Sequence, residues 1–324
     1  MHTVPGLNHA LLLDGQGGAQ HVEASNPLPL QGSSSMLWLD FNYTDTDAAS
    51  WVEAHTDIPE VVVETMFSEE SRPRATAIDD NLLAALRGIN HAPEEDPEDM
   101  VSIRIWANAH LLITTHRRKL LSIQDAVDAL HAGHGAQGIA ELLVDIIDRL
   151  VMRTSAFVEV SEDQIDAVEE LFLRGDTQLT RETLAELRRQ ILILRRHLAP
   201  QREALAHLQV EKLSWLQDVD RLRLRECSDQ LIRCIEDLDT VRDRGSMTHE
   251  ELVSELSDNL NRRMYTLAIV TTIFLPLGFL TGLLGINVGG IPGSDNPQAF
   301  WYIVLVTTVI IMLQLFFLRR KNWF

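Results

Sequence analysis

Cysteine and basic side chains are scarce in this chain. Two cysteines in 324 residues cannot build a disulfide framework. The 28 Lys and Arg are outnumbered by 47 Asp and Glu, which gives a net charge of −19. Because binding to nucleic acid relies on basic side chains that displace counterions from phosphates, this balance excludes nucleic acid as a partner.

Motifs of nucleotide-dependent enzymes and pumps are also lacking. GQGG at 15–18 is not a dinucleotide fingerprint, and the sequence has no Walker-type phosphate loop. No nucleophile and base stand at a recognisable spacing. The three leucines at 11–13 are too few, and lack the basic flank, to form a signal peptide. We therefore expect no enzyme, no cofactor and no ATP-driven transport.

Long apolar runs, in contrast, are present near the C-terminus. Residues 265–284 and 300–318 contain no charged side chain. Each run is long enough, at about 1.5 Å per residue, to cross a hydrocarbon core about 30 Å thick. Two buried helices of a soluble core are the alternative, but such helices are seldom apolar on every face. The sequence predicts two transmembrane helices, an outer loop over 285–299 and a tail over 319–324.

Basic residues flank only the outer ends of this pair. Residues 261–324 hold five bases, at Arg262-Arg263 and Arg319-Arg320-Lys321, against one acid. The loop over 285–299 has no Lys or Arg. By the positive-inside rule, both termini are expected in the cytoplasm and the chain in the plasma (inner) membrane. The first 260 residues hold the other 23 bases and 46 acids, a net −23.

The pattern of apolar and polar residues before the two spans changes along the chain. We predict a cytoplasmic α/β domain over 1–155, a helical region and stalk over 156–262, and a transmembrane domain over 263–324. In the first of these, short apolar runs alternate with turn residues, so the fold class is α+β or α/β. The predicted strands are 36–43, 75–90 and 100–117, the last a hairpin turning at Asn108, and the predicted helix is 50–70.

A helical pattern begins at about Ile139, where apolar residues start to recur every three or four positions. The first two helices are separated by a predicted break at 174–176. A third pattern starts at Leu216 and runs into the first span. If it is continuous to Leu284, this helical stalk is roughly 100 Å long. A break at Gly245-Ser246 is the alternative.

Two spans per chain imply an oligomeric pore. A hairpin of two helices cannot enclose an aqueous path, so several copies must form a ring. The first span, with small and hydroxyl residues, suits the inner position, and the more uniformly apolar second span suits the lipid. One stripe of the first span, repeating every three or four residues, is the predicted pore lining: Asn261, Met264, Leu267, Thr271, Leu275, Gly278 and Gly282. Rings of Met264, Leu267 and Leu275 would form a hydrophobic gate.

The first span ends on Gly285-Ile286-Asn287, ahead of a short loop and the second span. Residues 261–324 resemble the CorA superfamily of divalent-cation transporters, in which Gly-Met-Asn ends the first of two C-terminal spans. The stretch FLPLGFLTGLLGINVGGIPG is similar to the ZntB branch, which is associated with zinc. This resemblance implies a CorA-like homopentameric funnel whose first spans line the pore, with the motif at its outer mouth.

The motif also makes chemical sense. A ring of Asn287 carboxamides can hydrogen-bond the water shell of a divalent cation without trapping the ion. A helix C-cap is the alternative role of Gly285 and Asn287. In the outer loop, Asp295 would add carboxylates that concentrate cations.

Cytoplasmic metal sites are a further possibility. Four histidines could form a zinc site or stand in loops without a partner: His110, His116, His131 and His134. Six acids could bind cations between subunits or form a solvated helix face: Glu159, Glu162, Asp163, Asp166, Glu169 and Glu170. Cys227 and Cys234 are predicted to be packing residues rather than metal ligands.

The expected function is transport of a divalent cation, zinc favoured, by a homopentamer whose other partners are the lipid bilayer and divalent metal ions. An Mg²⁺/Co²⁺ channel of the CorA type, gated by cytoplasmic divalent cations, is the alternative. A non-transporting, membrane-tethered signalling or scaffold protein is the alternative from another class.

Overall fold

The computed structural model describes residues 4–22, 35–69, 72–90, 96–286 and 296–320. The chain forms two compact units, Met1–His249 and Glu250–Phe324. The strands are β1 Leu7–Leu13, β2 Ala19–His21, β3 Met36–Asn42, β4 Arg74–Ile78, β5 Asn81–Gly88, β6 Val101–Ala107 and β7 Leu111–His116. The helices are α1 Thr46–His55, α2 Glu60–Phe67, α3 Leu121–His131, α4 Ile139–Leu173, α5 Thr177–Val210, α6 Asp218–Leu284 and α7 Ala299–Arg320.

The first unit is built on one seven-stranded sheet in the order β2-β1-β3-β7-β6-β5-β4. β3 and β7 pair in parallel, and the other neighbours are antiparallel. The parallel pair ends at one edge, where Asn42 of β3 lies opposite His116 of β7. Carboxyl ends of parallel strands are where α/β sheets commonly hold polar sites.

Helices cover both faces of this sheet. Successive strand residues point to opposite faces, so Leu37 and Leu39 pack with α1 and α2, while Trp38 packs with the core on the other side. That second core is formed with α3, α4, α5 and α6. Burial on both faces explains why the central strands are nearly continuous apolar runs.

The hairpin predicted over 100–117 is confirmed as β6 and β7. Asn108 forms the turn, because its side-chain Oδ1 accepts hydrogen bonds from the backbone N–H groups of His110 and Leu111, both at 2.9 Å. An Asn side chain that bonds its own turn in this way favours a reversal of the chain. The predicted strands at 36–43 and 75–90 are confirmed as β3 and the hairpin β4–β5.

The single helix predicted over 50–70 is wrong, because the segment forms parts of two helices. The Thr56 hydroxyl donates to the Val52 carbonyl at 2.7 Å and its backbone is extended, which ends α1. Pro59 precedes α2 and keeps the residue before it out of the helical region. Turn chemistry therefore interrupts a pattern that looked continuous.

Three elements were not predicted from the sequence: β1, β2 and α3. Both strands depend on long-range pairing, since β1 lies between β2 and β3. α3 starts after Leu120, which makes no side-chain capping hydrogen bond. A helix without a polar cap has no start signal in its sequence.

The two breaks considered in the helical region have different outcomes. Between α4 and α5 the predicted break at 174–176 is confirmed, because Gly175 has a φ of 81° and the Asp176 carboxylate caps α5 by accepting from the Leu179 N–H at 3.2 Å. At Gly245-Ser246 the proposed break is wrong, since α6 is one helix of 67 residues.

Gly245 serves close packing within the first unit. A Cβ added there would lie 3.3 Å from Leu184 Cδ1 on α5 and 3.7 Å from Ile165 Cδ1 on α4. The absent side chain thus allows α6 to approach both neighbouring helices.

We predict that Gly245→Val destabilises the protein by about 1–3 kcal/mol, because the added methyl groups overpack this contact. Met247→Val is the matched control, since Met247 is 64% exposed two residues further along the same helix. Thermal unfolding of the purified full chain measures both. Equal melting temperatures for the two variants would contradict a packing role for Gly245.

Candidate functional site

The predicted pore stripe lies on α6 within the second unit. Its seven residues are all exposed in the single chain: Asn261, Met264, Leu267, Thr271, Leu275, Gly278 and Gly282. The three proposed gate residues, Met264, Leu267 and Leu275, are 69%, 66% and 69% exposed. The helix therefore brings the stripe together on one open face.

α7 packs on a different face of α6. The less exposed side chains of this part of α6 are Ile269, Ile273, Leu277 and Leu280. The Gln314 amide of α7 donates to the Thr272 carbonyl at 3.2 Å. An α-helix turns about 100° per residue. The mean direction of the stripe therefore lies about 165° around the helix from the mean direction of Thr272 and the four less exposed residues. Intrachain packing thus leaves the predicted pore face uncovered.

Two glycines of the stripe have open space around them. A Cβ added at Gly278 or Gly282 would meet nothing within 4 Å. These small residues are therefore not explained by packing within one chain. In membranes, small residues commonly allow close approach of a neighbouring helix.

The end of α6 carries the first part of the predicted motif. The Gly285 N–H donates to the Thr281 carbonyl at 2.9 Å, which continues the helical hydrogen bonding past Leu284. This bond fits the helix-ending role for Gly285. Ile286 is 47% exposed, and Asn287 and Asp295 lie outside the described residues.

Two helices are long and apolar enough to cross a membrane: the C-terminal part of α6, and α7. None of the apolar window of α6 and 6% of that of α7 is buried. Core helices of a soluble protein would be mostly buried, so the alternative of two soluble core helices is not supported. Large exposed apolar surfaces mark contact with lipid or with other protein.

The sequence profile of the family described as "CorA-like Mg2+ transporter protein" matches residues 33–320. The chain belongs to the CorA family. The apolar segments of α6 and α7 are therefore those of a transporter family. The solved structures that the chain resembles confirm the predicted fold, which is an α/β unit with long helices and two C-terminal apolar helices.

Individual relatives extend over nearly the whole chain. The Zinc transport protein ZntB of Yersinia enterocolitica is 36% identical over 96% of this chain and 94% of its own length. The structure of the full-length CmaX protein is 35% identical and covers 98% of both chains with a TM-score of 0.87. The CorA magnesium transporter of Methanocaldococcus jannaschii, at 22% identity, shares the fold over 100% of both chains with a TM-score of 0.83. The predicted resemblance to the ZntB branch is confirmed.

The histidine zinc site considered for this CorA family member is not assembled. Among the described residues, no group of three or more His, Cys, Asp or Glu side chains could hold a metal ion. His131 and His134 are exposed around the end of α3, and His110 is exposed in the β6–β7 turn. His116 is buried, and Asp40 and a backbone carbonyl contact its ring.

Ion pairs already engage part of the acidic face of α4. Asp166 and Glu169 both accept hydrogen bonds from Arg244 of α6 at 2.6 Å. Glu170 accepts from Arg174 at 2.6 Å. Asp166 and Glu169 thus link α4 to α6, and Glu170 pairs with a residue that follows the end of its own helix.

Both cysteines are packing residues, as predicted. Cys227 and Cys234 are 2% exposed. Burial, with the Asp148 carboxylate 3.6 Å from the sulfur, raises the pKa of the Cys227 thiol to about 12. A thiol that stays protonated is a poor metal ligand, because the thiolate is the form that binds.

A buried ion pair at the end of β3 and β7 was missed in the sequence. Asp40 is fully buried and accepts from the Thr114 hydroxyl at 2.5 Å and the Asn8 amide at 2.9 Å. His116 lies with Nε2 3.0 Å from Asp40 Oδ2 and Nδ1 2.8 Å from the Arg118 carbonyl. Both neighbours can accept hydrogen bonds, so this geometry favours the protonated imidazole, which donates from both ring nitrogens.

The charge state of His116 follows from two opposing effects. Burial by itself lowers its pKa, but the Asp40 carboxylate and the Arg118 carbonyl raise it, and the net direction is upward. The only sequence signal for this pair was the presence of Asp and His at the ends of two apolar strands. Their contact depends on the parallel register, which local patterns do not specify.

We predict that the melting temperature falls as pH rises above about 6.5, the ordinary histidine value. A raised folded-state pKa stabilises the protein below the unfolded pKa, and this stabilisation is lost as pH rises through the folded one. His116→Gln, which keeps a neutral donor for Asp40, should be less stable and show a flatter pH profile. His110→Gln, an exposed histidine, should keep the parent profile. A parent-like pH slope in His116→Gln would contradict the assignment.

Proposed function

We propose that this protein carries divalent cations, zinc favoured, across the plasma (inner) membrane through a homopentameric pore. The stripe from Asn261 to Gly282 lines this pore, and both termini are cytoplasmic. The observation that carries the proposal is the position of the stripe, exposed on the face of α6 opposite α7. We also propose the division of the chain at residues 155 and 262 made from the sequence.

Assembly of several copies explains why the stripe of α6 and the space around its two glycines are uncovered within one chain. Two helices cannot surround water, whereas a ring of α6 helices can, with α7 facing lipid. Gly278 and Gly282 have the open space that a neighbouring copy of α6 needs for close approach. Arg262, Arg263, Arg319 and Arg320 flank the apolar segments and support a cytoplasmic position for both termini.

The stripe suits passage of a hydrated cation. The Thr271 hydroxyl donates its hydrogen to the Leu267 carbonyl at 2.8 Å, so its oxygen is left as an acceptor. Water molecules around a cation point their hydrogens outward, and an acceptor oxygen can bind them. Rings of Met264, Leu267 and Leu275 would form a narrow apolar section that closes by losing water.

Charge and motif support a cation as cargo. The first 260 residues carry a net −23, which attracts cations to the cytoplasmic side. At the outer mouth we propose Gly285, Ile286 and the carboxamide of Asn287, which contacts the ion through its water shell, with Asp295 concentrating cations nearby. Zinc is favoured because curated relatives carry the name zinc transport protein.

The family description favours a second candidate, an Mg²⁺ channel. A competition experiment separates the two: zinc and magnesium are supplied together in one flux assay. Dominant Mg²⁺ flux would replace zinc as the favoured cargo while leaving divalent-cation transport in place.

We predict that Asn287→Ala abolishes metal flux into liposomes, because it removes the carboxamide that binds the hydrated ion. Assembly should persist, since one small side chain at the mouth is not required for packing of the helices. Flux and size-exclusion chromatography measure the two properties. Normal flux in an assembled variant would remove Asn287 from the mechanism.

We predict that Leu275→Ser increases metal leak through the resting pore, because a hydroxyl wets the apolar section. Leu283→Ser is the matched control, since Leu283 is also exposed but lies about 105° around the helix from the stripe centre. Leak is measured in liposomes as metal flux down its own concentration gradient, without a pH gradient. Equal leak in the two variants would contradict the position of the pore face.

A further inference from the structure

A basic cavity lies in the first unit at the edge where β3 and β7 end. Its volume is about 200 Å³. Three arginines line it, at Arg87, Arg117 and Arg118, together with Tyr43 and Ser102. This is a local concentration of positive charge in an otherwise strongly acidic part of the chain.

The sheet register brings these side chains together. Arg87 of β5 pairs with Ser102 of β6, and Arg104, two residues further, pairs with Thr115 of β7. These strand positions share one face of the sheet, and Arg117 and Arg118 follow directly after the end of β7. That face is the one covered by α1 and α2, and the arginines lie beyond the end of α2.

Arg104 places a further guanidinium behind the cavity wall. It is 1% exposed, and its Cζ lies 4.1 Å from the centre of the Tyr43 ring. Its Nη2 donates to the Glu69 carbonyl at 3.0 Å. Within the described part of the chain, its Nε and Nη1 have no hydrogen-bond partner. A buried cation with unused donors adds positive potential to the neighbouring cavity.

Among the described residues, two carboxylates line the cavity and offset part of its positive charge. Asp99 lies 2.5 Å from Arg118, and Glu69 lies 3.7 Å from Arg117. Their side chains are 64% and 84% exposed, and ion pairs with such solvated partners are weak. Either acid can therefore turn toward solvent when another anion enters.

Neighbouring titratable groups respond to this positive field. Burial, followed by the charge of Arg104, lowers the pKa of Arg87. Burial, followed by Arg87 and Arg196, lowers the pKa of His197 to about 4, so this histidine is neutral. Arg87, Arg104 and His197 thus lie close enough for positive charges at this edge to influence one another.

We propose that this cavity binds a small tetrahedral oxyanion of the phosphate or sulfate class, held by Arg87, Arg117 and Arg118. Guanidinium groups form paired, charge-assisted hydrogen bonds to such oxygens. The cavity is smaller than the ~300–1,000 Å³ of sites for drug-sized ligands, which favours a free ion over a nucleotide. This site is independent of the proposed transport pore.

A second cavity on the opposite face allows a sharp control. It has a volume of about 350 Å³ and is lined by Asp40, His116, Arg117 and Lys119 among others. Arg118 lines only the first cavity and Lys119 only the second. Substituting each by Gln removes one positive charge from adjacent positions of the chain but from different cavities.

The test is binding of inorganic phosphate to the purified full chain, measured by isothermal titration calorimetry at constant ionic strength. Sulfate, pyrophosphate and chloride are titrated in parallel. We expect saturable binding of phosphate or sulfate, weakened about tenfold or more in Arg118→Gln and unchanged in Lys119→Gln. Pyrophosphate binding tighter than phosphate would identify a larger phosphoryl compound as the natural source.

A measurement on the unmodified protein tests phosphate binding even if a variant misfolds. Phosphate should raise the melting temperature of the parent chain more than chloride does at equal ionic strength, because a ligand of the folded state stabilises it. The proposal is overturned by an absence of saturable binding at about 10 mM, where a millimolar site would be mostly filled. Equal weakening by both variants would also overturn it.

Discussion

The apolar surfaces of α6 and α7 must be kept away from water, and this constraint decides how the two helices can be arranged. Neither apolar segment is buried within its own chain, apart from the contact that the two helices make with each other. Lipid can cover α7, but the face of α6 that bears Thr271, Gly278 and Gly282 is poorly matched to lipid. In the pore that we propose, other copies of the same helix cover this face, so removal from water and formation of the pore would have one physical origin.

In the first unit, the parallel pairing of β3 and β7 has a comparable role. It brings the ends of two strands to one edge and places polar side chains on both faces there. Asp40 and His116 form a buried ion pair on one face, and arginines line a cavity on the other. Buried charges are tolerated when they are paired and hydrogen-bonded, as Asp40 is by Thr114, Asn8 and His116.

Features set by local chemistry could be predicted from the sequence. The apolar runs, the Asn108 turn and the break at Gly175 each depend on residues close together in the chain, whereas the pore role of the stripe on α6 stays a prediction. Features set by distant contacts could not. Gly245 could be read as a helix break because its packing against Leu184 and Ile165 involves three helices and is not visible in the sequence. β1 was missed because it depends on pairing with β3. The arginine cavity combines three strands, and Asn287 and Asp295 stay predictions because they lie outside the described residues.

Uptake of zinc into liposomes that contain the purified full chain, with and without a pH gradient, tests the central claim most directly. We expect saturable, protein-dependent zinc uptake by an assembled oligomer, and the two conditions distinguish passive flow from proton coupling. A chain that is folded and inserted but monomeric, with no divalent-metal flux under either condition, would contradict transport and favour a membrane-tethered role without transport.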